Sequence, residues 1–326
     1  MIAFGPGPSR RLGRSIGINH IPPKTCSYAC TYCQVGRTSR LRTARRAFYA
    51  EDDIIADVER KVDDARVAGE TVDYLTFVPD GEPTLDVNLG RAIERLKPLG
   101  IKIAVITNGS LLWRVDVREA LAHADWVSVK VDAVRPDVWR RISRPHRSLW
   151  LSAVLEGMLA FAAVYRGELV TETMLVRGVN DDAAHLADVA SFLAQLRPVK
   201  AYLAAPTRPP AEPWVQAPSE DIINRAFQLL RGRLEQVELL IGYEGNAFAA
   251  TGDLVEDLLS ITAVHPMRED AIEELLARTG AEMSVVRSLI AGGQLVEATY
   301  DGRKFCLRKP EAVGGSAAGA IASRGE

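Results

Sequence analysis

The chain of 326 residues is 47% hydrophobic and 25% charged, which excludes a disordered or fibrous protein and leaves room for two ordinary domains. It holds no run of about 18 apolar residues, so no membrane span is expected, and its start lacks the basic flank and apolar core of a secretory signal. The net charge of -2 conceals an asymmetry: residues 1–50 carry nine Lys or Arg and no acid, and the remainder carries 31 bases against 42 acids.

Along the chain, β-rich apolar runs alternate with segments of helical period. A first strand is predicted at 15–20, followed by three cysteines, Cys26, Cys30 and Cys33, within eight residues. A helix over 51–68 places Ile54, Ile55, Val58, Val62 and Ala65 on one stripe, and the next strand, 73–78, runs into Gly81-Glu82-Pro83. The helix predicted over 86–99 begins at a capping Asp86 and stops at Gly100. Strands follow at 101–106, 126–131, 169–175, 200–203 and 237–241, with helices at 116–123, 149–166, 182–196 and 219–234 between them. Such alternation implies an α/β fold of parallel strands covered by helices, either a barrel or a doubly wound sheet.

The pattern changes after about residue 253. Val255, Leu258 and Leu259 suggest one helix, Ile272, Leu275 and Leu276 a second, and Val285, Val286, Leu289 and Ile290 a third. Segments 294–299 and 303–308 then flank Asp301-Gly302, a strong hairpin signal. The expected organisation is a barrel over 1–252, a small winged-helix-like domain over 253–309 and a Gly/Ala/Ser-rich tail, 310–326, with too little to bury to fold. The helix in the recognition position carries only Arg287 as a base, and residues 254–309 hold seven bases against nine acids, so a docking or lid module is expected rather than a DNA reader. Cys306, between Phe305 and Leu307, reads as packed core.

Four cysteines are too few for a disulfide framework in a chain this long; the cluster of three reads as a metal or redox site in a reducing compartment, the cytoplasm. Thiolates hold zinc or iron–sulfur clusters. Structural zinc takes four protein ligands, and here only His20 could complete the set. A four-iron cubane held by three cysteines leaves one iron open to a ligand, an arrangement suited to catalysis. His123 and His265 have no partner that the sequence reveals.

The spacing of Cys26, Cys30 and Cys33, with the aromatic Tyr32 before the last, resembles the signature of the radical S-adenosylmethionine (radical SAM) superfamily. The resemblance covers roughly residues 10–250 and implies a partial (β/α)6 barrel open on one side, a [4Fe-4S] cluster on the three cysteines, and S-adenosyl-L-methionine (SAM) as cofactor. It implies that Tyr32 flanks the adenine and that Gly81, Glu82 and Pro83 match a Gly-Glu-Pro-type motif receiving the SAM amino group, with Asp80 where many members have glycine. Asn108, Asp132 and Glu172, at the ends of later strands, are candidates for the ribose and amino-acid contacts, because barrel sites gather at those ends.

Residues 4–6 (Phe-Gly-Pro), 8–17 and 33–38 (Cys-Gln-Val-Gly-Arg-Thr) are similar to a subgroup near the wybutosine-synthesis enzymes (4-demethylwyosine synthases), which act on transfer RNA. Those enzymes carry a second cysteine set, for which only Cys306 is to spare, so that reaction is not expected here. The N-terminal bases (Arg10, Arg11, Arg14, Lys24, Arg37, Arg40, Arg42, Arg45 and Arg46) suit RNA phosphates, an acidic electron donor such as flavodoxin or ferredoxin, or the acidic remainder of the chain itself. The expected activity is reductive cleavage of SAM followed by hydrogen abstraction from an unidentified substrate. The alternatives are a zinc-binding winged-helix regulator or scaffold, and an activase that makes a glycyl radical on a partner protein.

Overall fold

The structure is a computed structural model, and it describes residues 2–9, 11–241, 248 and 253–309. In chain order, β1 (Ala3–Ser9) and β2 (Gly13–Ile18) form an antiparallel hairpin, and the short strands β3 (Thr25–Cys26) and β4 (Arg40–Leu41) bracket the cysteine loop. There follow α1 (Glu51–Val67), β5 (Tyr74–Phe77), α2 (Leu89–Leu96), β6 (Lys102–Thr107), α3 (Val115–Leu121), β7 (Trp126–Lys130), α4 (Pro136–Ser143), α5 (Leu151–Val164), β8 (Glu168–Met174), α6 (Ala183–Leu196), β9 (Lys200–Ala204), α7 (Glu220–Arg231) and β10 (Val237–Leu240). The last elements are α8 (Leu254–Val264), β11 (Met267–Arg268), α9 (Glu269–Thr279), α10 (Met283–Ala291), β12 (Leu295–Tyr300) and β13 (Arg303–Arg308).

One eight-stranded sheet runs in the order β1-β2-β5-β6-β7-β8-β9-β10, and every neighbour pair from β2 onward is parallel. This is the partial barrel that the resemblance implies, with β10 as a seventh parallel strand and β1 as an antiparallel edge. The predicted strands all lie within two residues of the observed ones. The stripe on α1 is buried as expected, with Ile54, Val58 and Val62 wholly inaccessible against the sheet. Five of these elements escaped the sequence reading: β1, the two-residue strands β3, β4 and β11, and α4. Strand β1 reads Ala-Phe-Gly-Pro-Gly-Pro-Ser, a composition that signals turns, and α4 is a short helix opened by Pro136. The helix predicted from Asp86 starts instead at Leu89, because residues 83–85 form a 3-10 turn; the Asp86 carboxylate accepts from the Asn88 amide (2.9 Å) rather than capping α2.

The hairpin turn between β1 and β2 lies at the N-terminal end of the parallel strands. Leu12, from that turn, packs with Ala104, Trp126, Val170, Tyr202 and Leu240 and closes the barrel floor. In the hairpin, Phe4 pairs with Gly17, and the Phe4 ring occupies the space that a Cβ on residue 17 would need.

Residues 253–309 place three helices beside a small antiparallel sheet in the order β11-β13-β12. The Asp301-Gly302 turn joins β12 to β13, and both its residues have positive φ (48° and 69°), as a tight two-residue hairpin requires. This unit has its own core, in which Leu258, Met267, Ile272, Leu275 and Leu295 are joined by Cys306, buried as expected. It docks on the barrel through α8 against β1. An ion pair between Lys61 of α1 and Asp257 of α8 (3.2 Å) crosses this junction, each side chain only 1% exposed. Among the described residues no helix is long and apolar enough to cross a membrane. The tail over 310–326 lies outside the described residues.

Candidate active site

The barrel mouth is built by loops that leave the C-terminal ends of the strands. After β2 the chain enters the cysteine loop, which main-chain hydrogen bonds hold from behind: Ala29 to the Ser143 carbonyl (3.0 Å), Thr31 to Ile142 (2.9 Å) and His146 to Ser27 (2.9 Å). The end of α4 is thus the backing on which the loop is laid. Cys26, Cys30 and Cys33 all line one cavity of about 280 Å³, together with Tyr32, Gly81, Lys130 and Glu172. None of the three is in a disulfide.

The donor set fits an iron–sulfur cluster. Burial pushes the Cys26 thiol up to about 12, reinforced by the nearby Glu82 carboxylate, and raises the Cys30 and Cys33 thiols as well. Soft sulfur donors in such a place ionise when a cationic centre compensates their charge. Among the described residues no three His, Cys, Asp or Glu side chains converge tightly enough to hold a single metal ion. His20 does not join the cysteines: its ring packs edge-on against Phe77, its Nε2 donates to the Pro83 carbonyl (3.3 Å), and burial lowers its pKa to about 4. The set of three cysteines and one histidine considered for zinc is therefore not assembled.

The loop after β5 is bonded to the strand entering the cysteine loop. Lys24 donates its amide to the Asp80 carbonyl (2.9 Å), and Glu82 its amide to the Thr25 carbonyl (3.1 Å). Between them Gly81 lies so close to Thr25 that a Cβ would overlap the carbonyl oxygen, so only glycine fits. Gly81 and Asp80 line the cavity; Glu82 and Pro83 do not. The Glu82 carboxylate, 1% exposed, accepts from the Thr84 amide (3.1 Å), the Thr84 hydroxyl (2.6 Å), the Thr107 hydroxyl (2.5 Å) and the Asn108 amide (2.8 Å). All four donors belong to the chain. Glu82 thus clamps the loops after β5 and β6 together, although burial raises its pKa despite these bonds. Both Glu82 oxygens are thus engaged by groups of the chain itself, while Asp80 and Gly81 face the cavity.

Asn108 also stands behind the lining. Its side-chain amide donates to Ser27 Oγ (2.9 Å) and approaches Cys26 Sγ (3.5 Å). Asp132 is buried too; one carboxylate oxygen accepts from the Tyr32 hydroxyl and the other from the Met174 amide (2.8 Å). Burial raises its pKa, while Lys130 works in the opposite direction. Glu172 does face the cavity, and it is bonded on one side to Lys130 and on the other to Arg11. Lys130 lies over the Tyr32 ring at 5.0 Å; burial works against its charge, but Glu172 and Asp132 outweigh that and raise its pKa.

Arg11, Lys24, Lys130 and Arg208 also line the cavity, although none of them is among the site candidates drawn from the sequence. Position gave a signal for each: Arg11 and Lys24 are among the bases around the cysteine loop, Lys130 ends β7 two positions before Asp132, and Arg208 follows β9. Lys24 pairs with Asp80 (3.2 Å), whose own burial raises its carboxyl to about 6. Five of the nine N-terminal bases form ion pairs with acids from later in the chain: Arg11–Glu172, Arg14–Glu70, Lys24–Asp80, Arg37–Glu212 and Arg45–Asp116. Arg10 lies outside the described residues. Of the unassigned histidines, His123 sits 3.3 Å from Glu94, and His265 Nε2 accepts from Arg208 (2.9 Å).

Comparison with known proteins agrees with this geometry. The pattern of the radical SAM superfamily matches residues 21–190. The chain is 45% identical over 309 residues to UPF0026 protein MJ1312 of Methanocaldococcus jannaschii, covering 94% of this chain and 96% of that protein. Among solved structures, a radical SAM methyltransferase from Sphaerobacter thermophilus superposes with a TM-score of 0.53 at 21% identity, covering 70% of this chain and 66% of the other. TYW1 with a lysine-pyruvate adduct bound superposes with a TM-score of 0.51 at 17% identity, covering 68% and 74%. At these identities the two structures share the fold.

Proposed function

The chain belongs to the radical SAM superfamily and, within it, to the UPF0026 family, and from that premise we propose that this enzyme binds a [4Fe-4S] cluster on Cys26, Cys30 and Cys33 and cleaves SAM in the adjoining cavity. The observation that carries this reading is that the three cysteines, Gly81, Lys130 and Glu172 line one cavity at the barrel mouth. When bound, the cluster supplies one electron to the SAM sulfonium, whose C5′–S bond breaks to methionine and a 5′-deoxyadenosyl radical that takes hydrogen from a substrate.

The residues divide the remaining work. Asp80, with Gly81 beside it, presents carboxylate and main chain to the amino group of SAM, and Lys24 keeps Asp80 charged at neutral pH. Lys130 offers a cation to the SAM carboxylate, held in place by Glu172 and the face of Tyr32. Glu82, Asn108 and Asp132 hold the loops that carry these groups. The cavity walls from β6, β8 and β10 (Ile106, Met174, Leu240) are apolar and keep water from a reactive radical.

Electrons are proposed to arrive from a flavodoxin or ferredoxin. Arg140, Arg141, Arg144 and Arg147 are exposed on the segment that backs the cysteine loop, and Arg37 is 72% exposed beside it. Such a face complements an acidic carrier. The main reading is tested by anaerobic reconstitution with iron and sulfide. With dithionite and SAM the protein is expected to form 5′-deoxyadenosine, and alanine at the three cysteines is expected to abolish both the brown colour and the product. A reconstituted, fully loaded protein that never yields 5′-deoxyadenosine would overturn it.

A further inference from the structure

The C-terminal unit holds a cavity of about 210 Å³ that shares no lining residue with the cysteine cavity. Three walls bound it. On α10 the lining residues Met283, Val286, Arg287 and Ile290 fall at i, i+3, i+4 and i+7, one face of the helix. From α9 come Glu269 and Ile272, three positions apart and so on one side of that helix. On β13, Lys304 and Cys306 are two positions apart and point to the same side of the sheet, and Glu297 of β12 stands opposite Cys306 in the register.

Interior and rim differ in chemistry. Ile272 (1% exposed), Val286 (2%) and Cys306 (6%) belong to the core of this unit, and Met283 and Ile290 pack half-buried beside them. These side chains face a space that they do not fill. An apolar cavity of about 150 Å³ takes up benzene, so there is room here for an apolar body of that size. The rim carries four charged groups. Glu269 and Lys304 lie 3.7 Å apart and offset each other. Arg287 and Glu297 are both exposed, and among the described residues neither is in an ion pair. One cation and one anion thus stand at the mouth of an apolar interior. A ligand with a single charge would satisfy one of them and meet the other as a like charge, whereas a zwitterion with an apolar body satisfies both.

We propose that the C-terminal unit is a binding module for a free apolar α-amino acid, whose carboxylate meets Arg287, whose ammonium meets Glu297 and whose side chain enters between α9, α10 and β13. The proposal does not depend on the SAM reading, because the two cavities have no wall in common. The full chain, in the presence of saturating SAM, is titrated by calorimetry with L-leucine and L-phenylalanine. The controls are glycine, which lacks the apolar body, 3-phenylpropionate and phenethylamine, which carry one charge each, and cyclohexanol, which carries none. Saturable binding of leucine or phenylalanine is expected, with every control weaker by about tenfold or more, the loss of roughly one charge-assisted hydrogen bond or of the buried body.

Two further measurements place the ligand. Arg287→Gln and Glu297→Gln change exposed side chains only, and each is expected to weaken binding about tenfold while the unfolding midpoint stays that of the parent. Cys306 lies in the cavity wall, and burial raises its thiol to about 11. Its alkylation at alkaline pH, followed by peptide mass spectrometry, is expected to slow several-fold when the amino acid is bound. Absence of binding by leucine and phenylalanine overturns the proposal, as does glycine or cyclohexanol binding as tightly as they do. Binding that neither variant weakens, with Cys306 alkylated at an unchanged rate, puts the amino acid elsewhere and overturns it too. None of these readouts requires 5′-deoxyadenosine to form, so a failure of the SAM reading shows itself separately.

Discussion

At the scale of single residues, the cavity depends on contacts made behind its lining. Glu82 is surrounded by four donors and accepts from all of them. Glu82→Gln keeps the shape but turns an NH2 group toward those donors, which is expected to cost roughly 1–3 kcal/mol in urea unfolding of the apoprotein. Gly81→Ala forces a methyl group onto the Thr25 carbonyl. It is expected to lower the unfolding midpoint and the iron retained after reconstitution, both measured against the parent. His20 contributes a pH dependence of known sign. Its pKa falls from 6.5 unfolded to about 4 folded because burial disfavours the charged ring. Its stabilising contribution is therefore complete above pH 6.5 and is lost progressively as the pH drops toward 4, about 3 kcal/mol in all. His20→Phe is expected to remove that slope from the stability profile, measured as the difference from the parent between pH 4 and 7. Asp80, raised to about 6, slopes the opposite way in both proteins and cancels in the difference.

At the scale of elements, the sequence pattern was a good guide wherever one side of a segment faces the core. The apolar stripe of α1 and the β-rich runs of the parallel strands follow from burial, and their placement agreed with the structure within two residues. The motif residues were legible for a related reason: Cys26, Cys30, Cys33, Gly81 and Glu172 stand where strands end, and the barrel brings strand ends together. What was not legible depends on pairing across long sequence separations. Strand β1 is held by β2 and by the Asp57 carboxylate, which accepts from the Ile2 (2.6 Å) and Ala3 (2.8 Å) amides, so its Gly-Pro composition is overruled by partners. Glu82 and Asn108 were identified as site residues from position, but their inward hydrogen bonds could not be read from one strand at a time. Arg11 meets Glu172 across 161 positions, and no local pattern announces such a pair.

At the scale of the whole molecule, the barrel and the C-terminal unit share a junction as well as a chain. Lys61 and Asp257 are both buried in it. Lys61→Met leaves the Asp257 carboxylate in a dry junction without that cation, and a loss of roughly 3–5 kcal/mol is expected; adding Asp257→Leu is expected to recover most of it. Denaturant unfolding of the two variants measures both effects. The exposed arginines behind the cysteine loop make a second prediction at this scale. Charge reversal at Arg140 and Arg147 is expected to slow cluster reduction by flavodoxin, with a weaker dependence on salt, while leaving reduction by dithionite unchanged. Stopped-flow absorbance of the cluster distinguishes the two reductants.

The contact between Phe4 and Gly17 carries a consequence for how this chain can vary. Across the first two strands, a single volume is filled by one ring and left vacant by the residue opposite. The two positions therefore hold a joint allowance of bulk, and neither can change size alone: a larger residue at 17 demands a smaller one at 4. A size exchange, Gly17→Phe with Phe4→Gly, preserves the sum while moving the mass from the hairpin's outer strand to its inner one. Both positions line a cavity of about 130 Å³ beside the cysteine cavity, so the exchange moves a ring from one of its walls to another and reshapes that space by trading atoms between two neighbouring strands.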